Sequence, residues 1–491
     1  MDVQECFGLH EDKSYRHLNS DLNLIAVPQY SERVSLYKGL AETTPSKSMR
    51  NDAATFLRQE LAFVASQSCP IPESIEELNF WMQTSAQQAT SQYSDYLKDR
   101  KDGAPRRYFS SRAHALYFLR TVAPTKLVDG AWLYGLMPRW TNTRFTHLIQ
   151  TYVEELGEGL SDKNHVLIYR QLLQRYGLDP IEDLDESFFT QGLIQLALGW
   201  NPEEFLPEII GFNLGYEQLP AHLLITSYEL SELGLDPYYF TLHVTVDNAG
   251  TGHARRAVQA VMDILPRHDN AETFWQRVRH GSQLALSGRG TTEIISSFDM
   301  EREMVRILAQ KSVTGHGAHS DYLRIADRTV NEWLADPNQI PEFLIALQNA
   351  GFIQRGLSPE KSRFWRLLQG QRAEMFGVFS DYELQVIYDW IRGPANVDGQ
   401  AFNQPKTQAA QVRQGGGLRF GQRFLARATG LDSEESRHSE SSDPDLNALI
   451  YKLRSVDETR RAGVLIKAMS PAQHWTPAGL YATQLFCQQA I

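Results

Sequence analysis

Between Asp52 and Ile391 the apolar residues recur at intervals of three and four, the period of a helix, and seldom at the interval of two that a half-buried strand requires. Asp52 to Ser68 places Phe56, Leu57, Leu61 and Val64 on one face. Ile75 to Arg100 reads as a longer, more polar helix entered after Pro70 and Pro72, with Ser74 as its N-cap. Arg112 to Val122, Lys126 to Leu136, Asn142 to Leu156 and Asp162 to Tyr176 follow as short helices punctuated by Pro124, Pro138 and the Gly157/Gly159 pair. The pattern continues through Glu186 to Leu198, Pro202 to Leu214, Glu217 to Leu233 and Asp236 to Leu265. Beyond these come Ala271 to Ser287, Met300 to Gln310, Tyr322 to Ala335, Pro341 to Ala350, Pro359 to Gln369 and Asp381 to Ile391. A chain patterned this way folds as an all-α protein.

Two stretches break the pattern. Gln414 to Gly417 and Asp432 to Pro444 are rich in Gly, Ser and acid, too poor in apolar surface to offset the entropy of ordering, and predict a flexible connection. A last helical pair, Asp445 to Met469 and Pro477 to Gln489, would dock as a C-terminal appendage. The resulting organisation is an N-terminal helical extension over 1–104, a main domain over 105–395, a linker over 396–444 and the appendage over 445–491.

With 48 basic against 59 acidic side chains the net charge is −11, and the two signs are interspersed. That argues against nucleic acid or an anionic membrane as the main partner. Cys6, Cys69 and Cys487 lie far apart, so neither a disulfide framework nor a thiolate zinc site is expected. The first residues lack a basic and an apolar leader region, and no run of about eighteen apolar residues occurs, so a cytoplasmic, non-spanning protein is expected.

Chemistry concentrates in Tyr239 to His253, where His243 and Asp247 are one turn apart if the run is helical and could share an ion. A buried His bonded to an Asp one turn away is also an ordinary core arrangement. Partners are available elsewhere. Glu154, Glu155 and Glu158 end one helix and His165 opens the next across a glycine turn; Glu217 lies among apolar and aromatic residues near a helix start; Asp129 is an unexpected charge in an apolar run. Each has a plainer role, as a solvated helix end, a favourable charge on the dipole of a helix N-terminus or an N-cap. A helical bundle builds a metal site by pointing such groups inward from several helices. His316 and His319, three apart in a glycine-rich loop, are a weaker pair, and His438 falls in the linker. Arg255 and Arg256 read as a helix face.

Taken together, Arg112 to Arg120, Ala123 to Gly135, Glu155-x-Gly-x-Gly-x5-His165, Leu214-Gly215-Tyr216-Glu217 and Tyr239-Phe240-x2-His243-x3-Asp247 resemble the iron-containing redox enzyme family, the haem-oxygenase-like non-haem di-iron oxidases and oxygenases. The resemblance is specific over about 105–265 and looser to about 395. It implies a haem-oxygenase-like helical bundle, here with additional N- and C-terminal helices. It also implies two Fe(II)/Fe(III) ions, no haem, O2 as co-substrate, an external reductant and a small amino-acid- or fatty-acid-like substrate, oxidised by N-oxygenation or C–C cleavage in natural-product metabolism. A homodimer is one assembly such a chain could form.

By the same resemblance Glu155 and His165 match the acid-then-His pair, Glu217 the lone acid, and His243 and Asp247 the first two members of a His-x3-Asp-x2-His motif. The third His would fall at Gly250, and the nearest imidazole is His253. At about 100° per residue, His253 points about 80° away from His243, so it reaches the site only if Asn248 to Gly252 unwinds. Asp129 is expected as an acceptor behind a ligand imidazole. Lys126 and Tyr134, with Trp132 and Arg120, are candidates for the substrate wall. Two other readings stay open at this point: a cofactorless oxidase of the same fold, favoured by Gly250, and a non-catalytic helical binding protein.

Overall fold

The computed structural model describes residues 31–42, 44–178, 181, 183–246, 252–267, 270–319, 321–369, 373–393 and 443–490. Helices dominate, as the periodicity requires. In chain order they are α1 (Glu32–Glu42), α2 (Lys47–Val64), α3 (Leu78–Lys101), α4 (Arg112–Thr121), α5 (Ala123–Lys126), α6 (Thr146–Glu155), α7 (His165–Tyr176), α8 (Thr190–Trp200), α9 (Leu206–Tyr216), α10 (Ala221–Glu232), α11 (Tyr238–Val246) and α12 (His253–Ile264). Then follow α13 (Ala271–Leu284), α14 (Thr291–Ser296), α15 (Met300–Gly315), α16 (Val330–Leu334), α17 (Ile340–Asn349), α18 (Arg363–Gln369), α19 (Asp381–Arg392), α20 (Pro444–Ser455), α21 (Glu458–Ala468) and α22 (Pro477–Ala490). These elements build an all-α architecture among the described residues, apart from one two-stranded hairpin.

Local sequence sets most boundaries. Ser46 and Asn164 accept the backbone N–H three residues on and start α2 and α7, while Thr329 with Glu332 and Ser380 with Glu383 form reciprocal caps on α16 and α19. Several expectations need correction. Ser74 stands at the N-cap of a 3-10 turn, Ile75–Glu77, that leads into α3, but its hydroxyl donates to Glu76 and makes no capping bond. Lys126 to Leu136 is not one helix, because Gly130 adopts φ 79° and starts a separate 3-10 helix, Ala131–Arg139. Glu217 does not open a helix. It follows α9, and Pro220 holds the start of α10 at Ala221. Within Tyr322 to Ala335 only Val330–Leu334 is helical; Arg324–Ile325 (β1) pairs antiparallel with Arg328–Thr329 (β2) through Ala326 and Asp327, both at positive φ.

The run from Asp236 to Leu265 is two helices, α11 and α12. Gly252 stands in extended backbone at the N-cap of α12, and 247–251 lie outside the described residues. The expected linker falls almost entirely outside them too, as does His438.

One hydrophobic core runs from Val34 to Phe486. The N-terminal helices join it: α1 packs on α8, α2 on α8 and α13, and the Tyr37 hydroxyl donates to the Pro124 carbonyl at 2.7 Å. The C-terminal segment is three helices rather than a pair, and it packs firmly. Tyr152 donates its hydroxyl to the Met469 carbonyl at 2.6 Å, and the Arg170 guanidinium lies 3.8 Å over the Trp475 ring. Among the described residues no helix is long and apolar enough to cross a membrane.

Candidate metal centre

Five helices and one turn deliver side chains to one buried place. Asp129 sits in the turn between α5 and the 3-10 helix Ala131–Arg139, and it is 2% exposed in spite of its charge. Glu155 is the last residue of α6, His165 the first of α7, and Glu217 follows the last turn of α9. His243 comes from α11 and His253 opens α12. All six are buried. A carboxylate at the C-terminal end of a helix opposes the helix dipole, so a passive charge–dipole role does not explain Glu217.

The donors form two groups. Asp129, Glu155, His165 and His243 bring one ligand atom each within 4.8 Å of one another, and Glu155, Glu217 and His253 do the same. Glu155 belongs to both. His165 Nδ1 is 2.6 Å from Glu155 Oε2 and 3.9 Å from Asp129 Oδ2; His243 Nε2 is 3.1 Å from Asp129 Oδ2. In the second group His253 Nδ1 is 3.3 Å from Glu155 Oε1 and 3.1 Å from Glu217 Oε2.

Hydrogen bonding shows what these atoms await. His243 Nδ1 faces the Tyr239 carbonyl at 2.8 Å, and a carbonyl only accepts, so Nδ1 carries the proton. In the neutral ring Nε2 is then a lone pair facing the Asp129 carboxylate, two acceptors that a shared cation would reconcile. Asp129 Oδ1 is buried without a hydrogen-bond partner, and Glu155 Oε2 and His165 Nδ1, 2.6 Å apart, pair only with each other. Each orphaned polar atom costs about 1–3 kcal/mol. A divalent cation held by these atoms would remove that cost, and oxygen with imidazole donors suits iron. The residues present therefore fit a pair of iron ions.

Neighbouring cations keep both acids, Glu155 and Asp129, ionised. Burial pushes Glu155 up, but the His165 and His253 contacts outweigh it and hold the carboxyl well below its ordinary range. Asp129 is likewise lowered, with burial overcome by Lys126 and by His243. Burial also disfavours the Lys126 ammonium, yet Tyr216 and Asp129 beside it raise its pKa.

Residues 116–286 match the iron-containing redox enzyme family. The resemblance seen in the motifs thus holds over the segment that supplies all six residues. The description is that of a redox enzyme, which makes oxidoreductase chemistry the coarse assignment, and the buried carboxylate and imidazole cluster fits its iron. No curated protein and no solved structure matches the chain.

Most of the expected site residues are brought together here. Glu155, His165, Glu217, His243 and His253 converge, and the break between α11 and α12 is what lets His253 reach inward from outside the helical register of His243. Asp247 lies outside the described residues. Asp129, expected behind an imidazole, does touch His243, but it also stands within the first group and receives the Tyr239 hydroxyl. Lys126 borders the cluster: its ammonium donates to the Tyr216 hydroxyl at 3.1 Å and lies 5.7 Å over the Tyr239 ring. Tyr134 packs with Trp200 and Tyr152 instead, Trp132 donates to Asn213, and Arg120 pairs with Asp183. His316 and His319 face the carbonyls of Asn331 and Gly315 and join no metal group among the described residues.

Three neighbours of the cluster had no site role in the sequence reading. Tyr239 had a signal, being one turn before His243. Glu154 looked like part of a solvated helix end. His474 had none: it is brought from the C-terminal segment to Asn164, the cap of the His165 helix, where its Nδ1 is 3.2 Å from the Asn164 amide nitrogen. Burial, with Arg170 beside it, lowers His474 to about 3, so it is neutral.

Proposed function

We propose that this chain is a non-haem di-iron oxidoreductase that uses O2 to oxidise a small amino-acid- or fatty-acid-like substrate with electrons from an external reductant. The observation that carries the reading is the position of Glu155, whose two oxygens face two separate donor groups. Glu155 would thus serve both ions of a two-ion site. Asp129, Glu155, His165 and His243 would hold one iron, and Glu155, Glu217 and His253 the other. Bound iron would supply the one-electron chemistry that O2 demands and that carboxylates and imidazoles alone lack.

The protein's own groups frame that chemistry. The Tyr239 carbonyl fixes the ring of His243 and the Tyr239 hydroxyl fixes Asp129, so one residue orients two donors. Lys126, held by Tyr216, offers a positive charge beside the cluster for a substrate carboxylate; Gln195 also donates to the Tyr216 hydroxyl at 3.3 Å and stiffens that wall. The six donors are themselves buried, which keeps bulk water from them. A metal-free oxidase of the same fold would leave Asp129 Oδ1 unsatisfied.

Anaerobic loading with Fe(II) tests the reading. The parent is expected to take up about two irons per chain, His243→Ala about one, and Glu155→Ala close to none, all with helical circular dichroism intact. Parent uptake no greater than that of His243→Ala would overturn it.

A further inference from the structure

His253 has carboxylates at both ring nitrogens. Nδ1 faces Glu155 and Glu217, and on the opposite edge Nε2 is 3.0 Å from Glu154 Oε2. Glu154 and Glu155 are consecutive on α6, so their side chains leave the helix about 100° apart, and the one imidazole spans the angle between them. The second oxygen of Glu154 is also engaged: Oε1 lies 2.7 Å from Arg256 Nη1. Arg256 stands one turn beyond His253 on α12, so the helix that carries the imidazole also carries the cation that holds its acceptor. Glu154 itself is partly exposed. It forms, with Gln150, Val153, Glu158 and Arg256, the lining of a surface cleft of about 130 Å³.

We propose that Glu154 is a positioning residue for His253. Its carboxylate accepts the Nε2 proton and so keeps the Nδ1 lone pair turned toward Glu155 and Glu217. Arg256 fixes Glu154 in that pose and compensates its charge. The arrangement does three things that packing alone would not. It selects one tautomer, it sets the rotation of the ring, and it makes Nδ1 a stronger donor by pulling on the opposite proton. A neutral acceptor would do the first two and much less of the third. The proposal rests on the reading that Glu155, Glu217 and His253 hold an ion.

Anaerobic titration with Co(II), followed by its visible ligand-field absorption, reports both sites without turnover. The parent is expected to bind in two steps. Glu154→Ala should weaken the step that depends on His253 by about 10- to 100-fold and leave the other unchanged. Glu154→Gln, which can still accept the proton, should recover part of that loss with a shifted absorption band. The control is His253→Ala, which should lose the step altogether. Parent-like binding by Glu154→Ala, with the step lost in His253→Ala, overturns the role of Glu154 alone. Two full steps in His253→Ala overturn the ligand set and the proposal with it. Equal weakening of both steps in Glu154→Ala and Glu154→Gln alike would mark a structural acid and also overturn it.

Discussion

A single methyl group added at Gly130 tests how the backbone builds the centre. Gly130 has φ 79°, and a Cβ there would lie 2.9 Å from Glu155 Cβ and 3.1 Å from Glu155 Cγ. Gly130→Ala therefore carries two costs. Left-handed backbone with a side chain costs about 1–2 kcal/mol. Pressing a methyl against a buried neighbour that cannot retreat costs about 1–3 kcal/mol more. Gly103 supplies the control, since its φ is 94° but nothing lies within 4 Å of its would-be Cβ. Gly103→Ala carries the backbone cost alone. The effect of alanine on the unfolded chain is the same at both positions and cancels in the difference. Guanidinium denaturation should thus place Gly130→Ala below Gly103→Ala by about 1–3 kcal/mol. Fe(II) uptake should fall only in Gly130→Ala, because the displaced Glu155 serves both donor groups. Equal stabilities, together with normal iron in Gly130→Ala, would refute the claim that this turn sets the position of Glu155.

Further outcomes follow from the same geometry. In the iron titration His253→Ala should retain about one iron and Glu155→Ala almost none, and equal uptake by the two variants would show that Glu155 is not shared. A chain ending at 442 lacks the Met469 carbonyl that Tyr152 donates to and the His474 segment packed on Asn164, so it should be poorly soluble or iron-poor; soluble, fully loaded material would contradict this. Asp389, buried and bonded to the Ala113 N–H, is raised to about 6, mainly by burial. Its folded pKa exceeds the unfolded one of about 4, so its contribution is intact below pH 4 and is lost as the pH rises toward 6, with about 1.4 kcal/mol given up over each pH unit between the two values. Asp389→Asn should therefore be more stable than the parent at pH 8 by about 1–3 kcal/mol in a denaturant titration, with the gap closing near pH 4; a gap independent of pH would refute it.

Much of the centre was legible because its donors lie in local patterns. Glu155 and His165 flank a glycine turn, and His243 sits in an apolar helix with Tyr239 one turn behind. What could not be read depends on how separate elements meet. The depth of Asp129 comes from a turn packed at Gly130 against Glu155 and Tyr152, so its sequence neighbourhood showed an unexpected charge or an N-cap and not its place within the first donor group. His253 was expected to reach the site only if the helix gave way between Asn248 and Gly252, and it is buried at the centre because α11 and α12 are separate. Glu217 was read as opening a helix because nothing local weighs Pro220 against the apolar run before it. The β1–β2 hairpin was hidden because Ala326 and Asp327 take positive φ without the Asn-Gly signal that usually announces such a turn.

The glycine turn after Glu155 has one more consequence. Gly159 lies so close to the last helix that a Cβ would come within 2.4 Å of the Leu480 carbonyl. The loop that joins two donor-bearing helices is thus seated against chain made more than three hundred residues later. During synthesis the early helices must wait, with their carboxylates and imidazoles only partly enclosed, until α22 has left the ribosome. Any ion these donors hold would meet its complete walls only once α22 has docked.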